Sequence, residues 1–213
     1  MSELLLLGAS GLAREALAVL RKQGEHTVLG CLDDDPTTWD REYDRMLVFG
    51  GIEQVERFPG AKLLVCVGKG SHRATLSQRL IALGRDDHDY ATVIDESVSI
   101  PAGCLVGAGS ILLAGSVLTT NVTIGRHVVV MPHVTLTHDA FVESFATLCA
   151  GVTLGGNVLV GERSYLGMNS SVREGLRVGR DAVLGMGAVL LDELPPGQTW
   201  AGVPARQILR AAS

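Results

Sequence analysis

A histidine followed directly by an aspartate, His138-Asp139, is the pair in this sequence best suited to acid–base chemistry. An imidazole changes its charge near neutral pH and can take a proton from an attacking group. A neighbouring carboxylate can orient the ring and stabilise its cationic form. The pair therefore indicates a general base, and its plain alternative is an exposed histidine beside an acidic residue.

A second candidate site follows the apolar run from Leu4 to Leu7, where Gly8-Ala9-Ser10-Gly11 opens a helical pattern that continues to Arg21. This order predicts a strand, a glycine-rich turn and a helix, and such a turn presents backbone N–H groups to a phosphate. A merely structural turn and a dinucleotide site are the alternatives. The spacing GxGxxG is not satisfied, which argues against NAD.

Two further apolar runs predict strands that end beside this turn. Leu29 to Leu32 is followed by Asp33-Asp34. Leu63 to Val67 is followed by Gly68-Lys69-Gly70, and the next helix contains Arg73. Open α/β sheets bind their ligands at such an edge. The two carboxylates can accept hydrogen bonds from the N–H of a uracil or a guanine, and the sequence leaves both bases open.

The second half of the chain repeats with a period of six residues. From Ile94 to Leu190 every sixth residue is Ile, Leu or Val, seventeen in succession. The residue four positions after each is mostly small or β-branched, and glycine often follows the large one, as at Gly107, Gly155 and Gly167. Such self-similarity predicts a solenoid of short strands in triangular coils, with these glycines at corners that need a positive φ.

The composition narrows the partners. The chain has 213 residues and a net charge of −5 without a Lys/Arg cluster, which argues against nucleic acid and acidic membranes as partners. The charge-free stretch 97–125 is rich in Gly, Ser and Thr, so we expect no membrane insertion. The N-terminus lacks a signal-peptide pattern, which predicts a cytoplasmic protein, and the four scattered cysteines predict free thiols.

Motifs along nearly the whole chain resemble one family. These motifs are Thr137-His138-Asp139, Leu148-Cys149-Ala150-Gly151, Gly155-Gly156-Asn157, Leu166-Gly167-Met168-Asn169 and Gly202-Val203-Pro204-Ala205-Arg206, with Gly8-Ala9-Ser10-Gly11, Asp33-Asp34, Val67-Gly68 and Arg73 nearer the N-terminus. Together they resemble the bacterial nucleotide-sugar acetyltransferases that modify UDP-4-amino sugars, a group that includes the sialic-acid O-acetyltransferases. Leu12, Met131 and Lys69-Gly70 depart from the pattern.

The resemblance implies the architecture and the oligomeric state. Residues 1–90 would form a Rossmann-like α/β domain that binds a nucleotide sugar. Residues 91–213 would form a left-handed parallel β-helix of hexapeptide repeats with a short C-terminal tail or helix. The expected assembly is a homotrimer with active sites between neighbouring prisms, in an enzyme of polysaccharide or glycan biosynthesis.

The resemblance also implies roles for individual residues. His138 would be the general base, Asp139 its supporting carboxylate, and Gly156 the N–H donor to the thioester oxygen. The expected contacts of the co-substrate acetyl-CoA are Gly156, Gly167, Met168, Gly185, Met186, Gly187, Pro204 and Arg206. The expected contacts of the nucleotide sugar are Gly8, Ser10, Gly11, Asp33, Asp34, Gly68, Lys69 and Arg73. No metal is expected.

The predicted activity is N-acetylation of a nucleotide-linked 4-amino-6-deoxy sugar by direct attack. O-acetylation of a sugar such as sialic acid and a non-catalytic sugar-nucleotide-binding role are the alternatives. His133 and His138 have a spacing found in β-helix carbonic anhydrases, but Ser97 stands where a third zinc ligand is needed. Cys149 is the nearest alternative nucleophile for an acyl-enzyme.

Overall fold

The computed structural model describes residues 2–208, and its first domain is a small α/β unit. Its elements are β1 (Ser2–Leu7), α1 (Gly11–Gln23), β2 (His26–Leu32), β3 (Glu42–Tyr43), β4 (Met46–Leu47), β5 (Lys62–Val65) and α2 (Gly70–Ala82), with 3-10 turns at Pro36–Thr38, Ile52–Arg57 and Asp87–Asp89. The parallel sheet has the order β2-β1-β5. This confirms the α/β domain and brings the carboxyl ends of the three predicted strands to one edge.

The boundaries of these elements follow from side-chain contacts. Ser10 caps α1, because its hydroxyl accepts from the N–H of Ala13 at 3.3 Å and donates to the carbonyl of Cys66 at 2.6 Å. Strand β5 ends at Val65, two residues earlier than predicted. The carbonyls of Cys66 and Val67 accept from the side chains of Ser10 and Arg73 and are thus held out of the sheet.

The second domain is the predicted β-helix. It consists of β6 (Val93–Ile94), β7 (Leu105–Val106), β8 (Ile111–Leu112), β9 (Val117–Leu118), β10 (Thr123–Ile124), β11 (Val129–Val130), β12 (Thr135–Leu136), β13 (Phe141–Val142), β14 (Thr147–Leu148), β15 (Thr153–Leu154), β16 (Leu159–Val160), β17 (Tyr165–Leu166), β18 (Ser171–Val172), β19 (Arg177–Val178), β20 (Val183–Leu184), β21 (Val189–Leu190), β22 (Thr199–Ala201) and β23 (Arg206–Gln207). Parallel pairs such as Thr123 with Phe141 and Val129 with Thr147 join coils eighteen residues apart.

Three sheets form the faces of this left-handed prism. We call the sheet of β6, β8, β11, β14, β17, β20, β22 and β23 the docking sheet. The first open sheet contains β7, β10, β13, β16 and β19, and the second open sheet contains β9, β12, β15, β18 and β21. The every-sixth-residue positions from Leu112 to Leu190 point inward and are at most 3% exposed, which confirms the predicted core.

The corners of the prism stack in three columns. The first corner, between the two open sheets, contains Thr120-Asn121, His138-Asp139 and Gly156-Asn157. The second corner joins the first open sheet to the docking sheet and contains Arg126-His127, Ser144-Phe145 and Glu162-Arg163. The third corner joins the docking sheet to the second open sheet and contains Pro132-His133, Met168-Asn169 and Met186-Gly187.

The glycines that follow the large core residues have a different purpose from the one predicted. Gly107, Gly155 and Gly167 are not among the residues with positive φ, whereas corner residues such as Asn121 and Asp139 are. A Cβ at Gly107 would lie 2.6 Å from the backbone of Gly125 in the next coil. A Cβ at Gly155 or Gly167 would come within 2.5 Å of the next backbone. These glycines therefore permit close stacking of coils.

Arg73 is fully buried and links the first domain to the β-helix through hydrogen bonds. Its Nε donates to the carbonyl of His127, its Nη1 to Val67 and Gly68, and its Nη2 to Phe145, Ala146 and the Thr147 hydroxyl, all at 2.8 to 3.0 Å. Every N–H of the guanidinium is engaged. The sequence-based assignment of Arg73 to the nucleotide is therefore corrected, because this side chain has no donor left for a ligand.

Close contact at the start of α2 completes this junction. A Cβ at Gly70 would lie 2.2 Å from the carbonyl oxygen of Phe145, so only glycine allows the helix to approach the second corner. Apolar residues of both domains, including Leu4, Leu6, Ile111 and Val129, share one cluster. The first domain thus lies on the docking sheet, and the first corner is on the opposite side of the prism.

The chain segments before and after the β-helix are connected to it in different ways. Tyr90 bridges to Leu63 in the first domain, and the N–H of Ala91 donates to the Leu63 carbonyl at 2.9 Å, whereas β6 from Val93 onward pairs with β8. After the last coil, β22 and β23 form an antiparallel pair. Residues 209–213, onto which the predicted tail or helix extends, lie outside the described residues. No helix within residues 2–208 is long and apolar enough to cross a membrane.

His127 is buried at the domain junction, and its surroundings predict a stability that depends on pH. Its ring stacks on Phe145 at a centroid distance of 5.2 Å and meets the edge of Tyr90 at 4.4 Å. Burial, followed by the charges of Arg126 and Arg73, lowers the pKa of His127 to about 4. The unfolded chain binds this proton at a higher pH than the folded chain does.

We predict that the free energy of unfolding falls as the pH drops from about 6.5 to about 4, by up to about 3 kcal/mol from this residue. His127→Asn removes the titrating group and retains a residue type that tolerates φ 53°. Denaturant unfolding at fixed protein concentration should show a flatter pH dependence in this variant. His133→Asn, at φ 60° on the third corner, is the control and should keep the wild-type slope. An unchanged slope in His127→Asn would contradict the assignment.

Candidate active site

The His138-Asp139 pair lies on the first corner and is held in a defined geometry. Nδ1 of His138 is 2.8 Å from Oδ2 of Asp139, and both side chains are partly exposed. Asp139 has φ 59°, and its N–H donates to the carbonyl of Thr120 at 3.1 Å. The N–H of Asn157 donates to the carbonyl of His138 at 2.9 Å. The backbone hydrogen bonds of two neighbouring coils thus fix the pair, and within residues 2–208 Nε2 of the ring has no hydrogen-bond partner.

Gly156 is next to the Nε2 edge of the imidazole. It follows His138 by one coil of eighteen residues, and a Cβ at this position would lie 2.3 Å from both Cε1 and Nε2 of His138. The ring therefore packs directly against the glycine backbone. Within residues 2–208 the N–H of Gly156 has no hydrogen-bond acceptor. A group held between this N–H and Nε2 would meet a hydrogen-bond donor and a base together.

Asn121 belongs to the same cluster and was missed in the sequence. Its Nδ2 donates to Oδ1 of Asp139 at 2.7 Å from one coil below. The hydrogen bond from Asn121, and next that of His138, lowers the pKa of the Asp139 carboxyl. The available signal was the spacing of eighteen residues between Asn121 and Asp139, which puts them in the same column of corner residues.

Apart from Gly156, the expected acetyl-CoA residues collect around a different corner. Met168 and Met186 are stacked on the third corner and are 48% and 72% exposed. Gly167 and Gly185 precede them, and a Cβ on either would come within 2.6 Å of the next coil. Gly187 has φ 64°. These side chains form an exposed apolar strip, and in a single chain the second open sheet separates it from His138.

Pro204 and Arg206 lie beside the upper end of this strip. The segment that contains them is attached to the last coil, because the N–H of Ala205 donates to the carbonyl of Val189 at 2.8 Å. Arg206 is exposed, and its Nη1 is 3.3 Å from Oδ2 of Asp192. This weak surface pair leaves the guanidinium available to a phosphate group.

A cavity of about 300 Å³ opens at the carboxyl edge of the first-domain sheet. Gly8, Asp33 and Asp34, three of the expected sugar-nucleotide contacts, line it. Gly8 has φ 107°, and a Cβ there would lie 3.0 Å from Val67. Other lining residues were missed in the sequence, namely Ile52, His72, Thr75, Leu76 and Arg79. They come from the Ile52–Arg57 turn and from α2, which only the folded chain brings to this edge.

The charged residues of this cavity are already partly paired. Arg79 donates through Nη1 and Nη2 to the two oxygens of Asp34 at 2.5 and 3.0 Å, and it also contacts Glu53. The hydrogen bond from Arg79 is the main cause that lowers the pKa of Asp34. Asp33 accepts from the N–H groups of Ala9 and Asp35 at 2.6 and 2.8 Å. Asp34 and Arg79 thus present both acceptors and donors at the cavity wall.

The other expected sugar-nucleotide residues are dispersed. Gly11 opens α1, and a Cβ there would meet nothing within 4 Å. Ser10 uses its hydroxyl for the helix cap. The Gly68 carbonyl accepts from Arg73. Lys69 borders a second cavity of about 420 Å³ between α2 and the docking sheet.

Two chemical alternatives concern a cysteine nucleophile and a metal site. Cys149 is buried, and its burial raises the pKa of the thiol, which disfavours a thiolate nucleophile. Among residues 2–208 no three His, Cys, Asp or Glu side chains are grouped so that they could hold a metal ion.

Comparison with known proteins matches both domains. The model of the PglD N-terminal domain matches residues 3–80, and that of the hexapeptide repeat of succinyl-transferase matches residues 157–192. A mutant of GDP-perosamine N-acetyltransferase from Caulobacter crescentus, in complex with CoA and GDP-perosamine, is 26% identical with a TM-score of 0.90, and the match covers 99% of this chain and 98% of that one.

Two further relatives have the same fold or share part of the sequence. The acetyltransferase domain of PglB from Neisseria gonorrhoeae is 24% identical with a TM-score of 0.88, over 98% of this chain and all of that one. A 2,3,4,5-tetrahydropyridine-2,6-dicarboxylate N-acetyltransferase of Staphylococcus aureus is 34% identical over 55 residues. That match spans 26% of this chain and only 23% of the curated relative.

The close packing of the His138 ring on Gly156 predicts that a side chain at position 156 will displace the ring. In Gly156→Ala the new Cβ must displace the His138 ring, because a separation of 2.3 Å is not sustainable. A crystal structure of the variant should show the imidazole turned away and its hydrogen bond to Asp139 broken, with the β-helix unchanged. Gly60→Ala, where a Cβ meets nothing within 4 Å, should leave the ring in place. An undisturbed ring in Gly156→Ala would contradict the described packing.

Proposed function

We propose that this chain, a hexapeptide-repeat acyltransferase of the left-handed β-helix class, transfers the acetyl group of acetyl-CoA to the amino group of a nucleotide-linked 4-amino-6-deoxy sugar. The observation that carries the proposal is the first-corner cluster, in which Asp139 holds Nδ1 of His138 while Nε2 faces Gly156. The relative in complex with CoA and GDP-perosamine supports the substrate class. The proposal covers any nucleobase and any 4-amino-6-deoxy sugar in the acceptor.

The proposed reaction is a direct attack within a ternary complex. The amine nitrogen attacks the thioester carbonyl carbon, and His138 takes the proton of the amine at Nε2. The N–H of Gly156 donates to the carbonyl oxygen as negative charge develops there. The C–S bond then breaks, the acetyl group stays on the amine, and the CoA sulfur leaves as a thiolate that accepts a proton. The burial of Cys149 supports a route without an acyl-enzyme.

The same geometry supports a homotrimer. His138 is on the first corner, the exposed methionines are on the third corner, and the first domain covers the docking sheet. We call the exposed methionine strip the donor strip and the cavity at the carboxyl edge of the first-domain sheet the acceptor cavity. The catalytic base, the donor strip and the acceptor cavity can all meet only if they come from neighbouring chains. Leu105 and Phe141 beside the first corner are 64% and 44% exposed, and packing between prisms would bury them.

The acceptor cavity favours a nucleotide over a free sugar. Its wall offers the carboxylate of Asp34 beside the guanidinium of Arg79, a donor–acceptor combination that suits the polar edge of a nucleobase. An N-acetyltransferase uses an amine, which is the better nucleophile once its proton is removed. O-acetylation remains the second candidate because the same His138-Asp139 pair can activate a hydroxyl group.

His138→Ala tests the base. We expect thiol release from acetyl-CoA with one class among the UDP-, GDP- and dTDP-linked 4-amino-6-deoxy sugars, and a loss of kcat of about 100-fold or more in the variant. His26→Ala on β2 is the matched control and should retain activity. Turnover only with a hydroxyl acceptor would favour O-acetylation. Binding of the sugar nucleotide without any thiol release would overturn the enzymatic proposal.

Mixed assemblies test the division of the site between chains. His138→Ala lacks the base and Asp34→Ala weakens the acceptor cavity, so each should be poorly active alone. Co-expressed and purified as mixed trimers through two affinity tags, they should regain up to about one third of the wild-type sites, because one interface then pairs an intact base with an intact cavity. Mixed trimers no more active than their parents would place base and cavity in the same chain.

A further inference from the structure

Asp139 is held from two sides. Oδ2 is 2.8 Å from Nδ1 of His138, and Oδ1 accepts from Nδ2 of Asn121 at 2.7 Å. Among the described residues these are its two side-chain hydrogen-bond partners. The corner positions directly below Asn121 and above Asp139 are Gly103 and Asn157, which carry no charge.

The backbone explains why this contact is built from an asparagine. Asn121, Asp139 and Asn157 occupy equivalent positions in three successive coils, with φ of 53°, 59° and 57°. Asn and Asp tolerate this left-handed conformation better than other residues with a side chain. Parallel pairing of Leu118 with Leu136 sets the coils in register just before these residues. The amide of Asn121 is thereby placed under the carboxylate of Asp139.

An exposed aspartate next to a histidine in sequence has several rotamers, and only some of them reach Nδ1. A carboxylate whose second oxygen is held from the coil below keeps the first oxygen on the ring. The proton of the neutral imidazole then remains on Nδ1, and the lone pair of Nε2 faces Gly156. The amide donor also favours the ionised carboxylate, which agrees with the lowered pKa of Asp139.

We infer that Asn121 is a positioning residue of the acetyl transfer, which fixes Asp139 and through it the tautomer of His138 that can accept a proton at Nε2. The expected effect of Asn121 on kcat/KM rests on the proposed function. Its expected effect on the tautomer of His138 requires no substrate. The side-chain hydrogen bond of Asn121 goes to Asp139 and not to the ring of His138.

The structural test uses the resting protein with ¹⁵N-labelled histidine. Long-range ¹H–¹⁵N spectra at about pH 8, with His138 assigned by its absence in His138→Ala, report which ring nitrogen holds the proton. We expect the Nδ1–H form in the wild type and a shift towards Nε2–H in Asn121→Gly, which keeps the left-handed backbone. Asn157→Gly, the same change one coil higher, should leave the tautomer as it is. An unchanged tautomer in Asn121→Gly would overturn the inference.

The kinetic test uses Asn121→Asp, which keeps the shape but donates only when protonated. We expect kcat/KM to fall by about tenfold or more at about pH 8, with little change in KM for acetyl-CoA. The ratio of variant to wild-type kcat/KM should rise towards acid pH, because the new carboxylic acid can then donate its O–H to Asp139. The ratio for Asn121→Gly should stay low and flat.

Equal and pH-independent ratios in the two variants, or ratios close to one, would overturn the positioning role. If the wild-type protein acetylates none of the acceptors, the proposed function is wrong. The tautomer measurement then still decides whether Asn121 positions Asp139 and His138.

Discussion

Everything at the first corner depends on the eighteen-residue register of the backbone hydrogen bonds between coils. Because each strand pairs in parallel with the strand one coil away, residues far apart in sequence share one column of the prism. The amide of Asn121 reaches the carboxylate of Asp139 in this way, and the backbone of Gly156 reaches the ring of His138. A one-residue slip would turn inward-facing side chains outward and dissolve the cluster. The continuous apolar core resists such a slip, so core packing and site geometry have the same cause.

A second constraint is the docking of the first domain by Arg73. A guanidinium without a facing carboxylate is costly to bury, and burial lowers the pKa of Arg73 to about 10. Carbonyl oxygens from the loop before α2 and from two coils of the β-helix satisfy all of its N–H groups. These contacts hold the acceptor cavity at a fixed position on the docking sheet, away from the first corner of the same chain. Buried hydrogen bonds, together with apolar contacts, therefore set the orientation of the cavity relative to the β-helix.

Polar groups are used differently at the first corner and in the acceptor cavity of the proposed site. At the first corner the exposed aspartate has one amide and one imidazole as partners, which suits a group that must orient a base. In the acceptor cavity Asp34 and Glu53 share the guanidinium of Arg79, so a bound nucleotide would meet charges that are already paired, with two carboxylates to one guanidinium. The donor strip is apolar and exposed around Met168 and Met186, which suits a flexible chain of the pantetheine type. The first corner, the acceptor cavity and the donor strip each suit one participant in the proposed reaction.

The sequence by itself determined the periodic core, because an aliphatic residue at every sixth position from Ile94 to Leu190 predicts short strands that bury these side chains, and it singled out His138-Asp139 by adjacency. It also located the glycine turn and Asp33-Asp34, since each follows an apolar strand. Only the tertiary structure decided that the buried Arg73 joins the two domains and that Arg79 lines the first-domain cavity. It also decided that Gly107 and Gly155 allow the coils to stack closely. Local patterns record which face of an element is apolar. They do not record which carbonyls will surround a cation, or which backbone will pass within 3 Å of a Cα, because those depend on where separate elements come to rest.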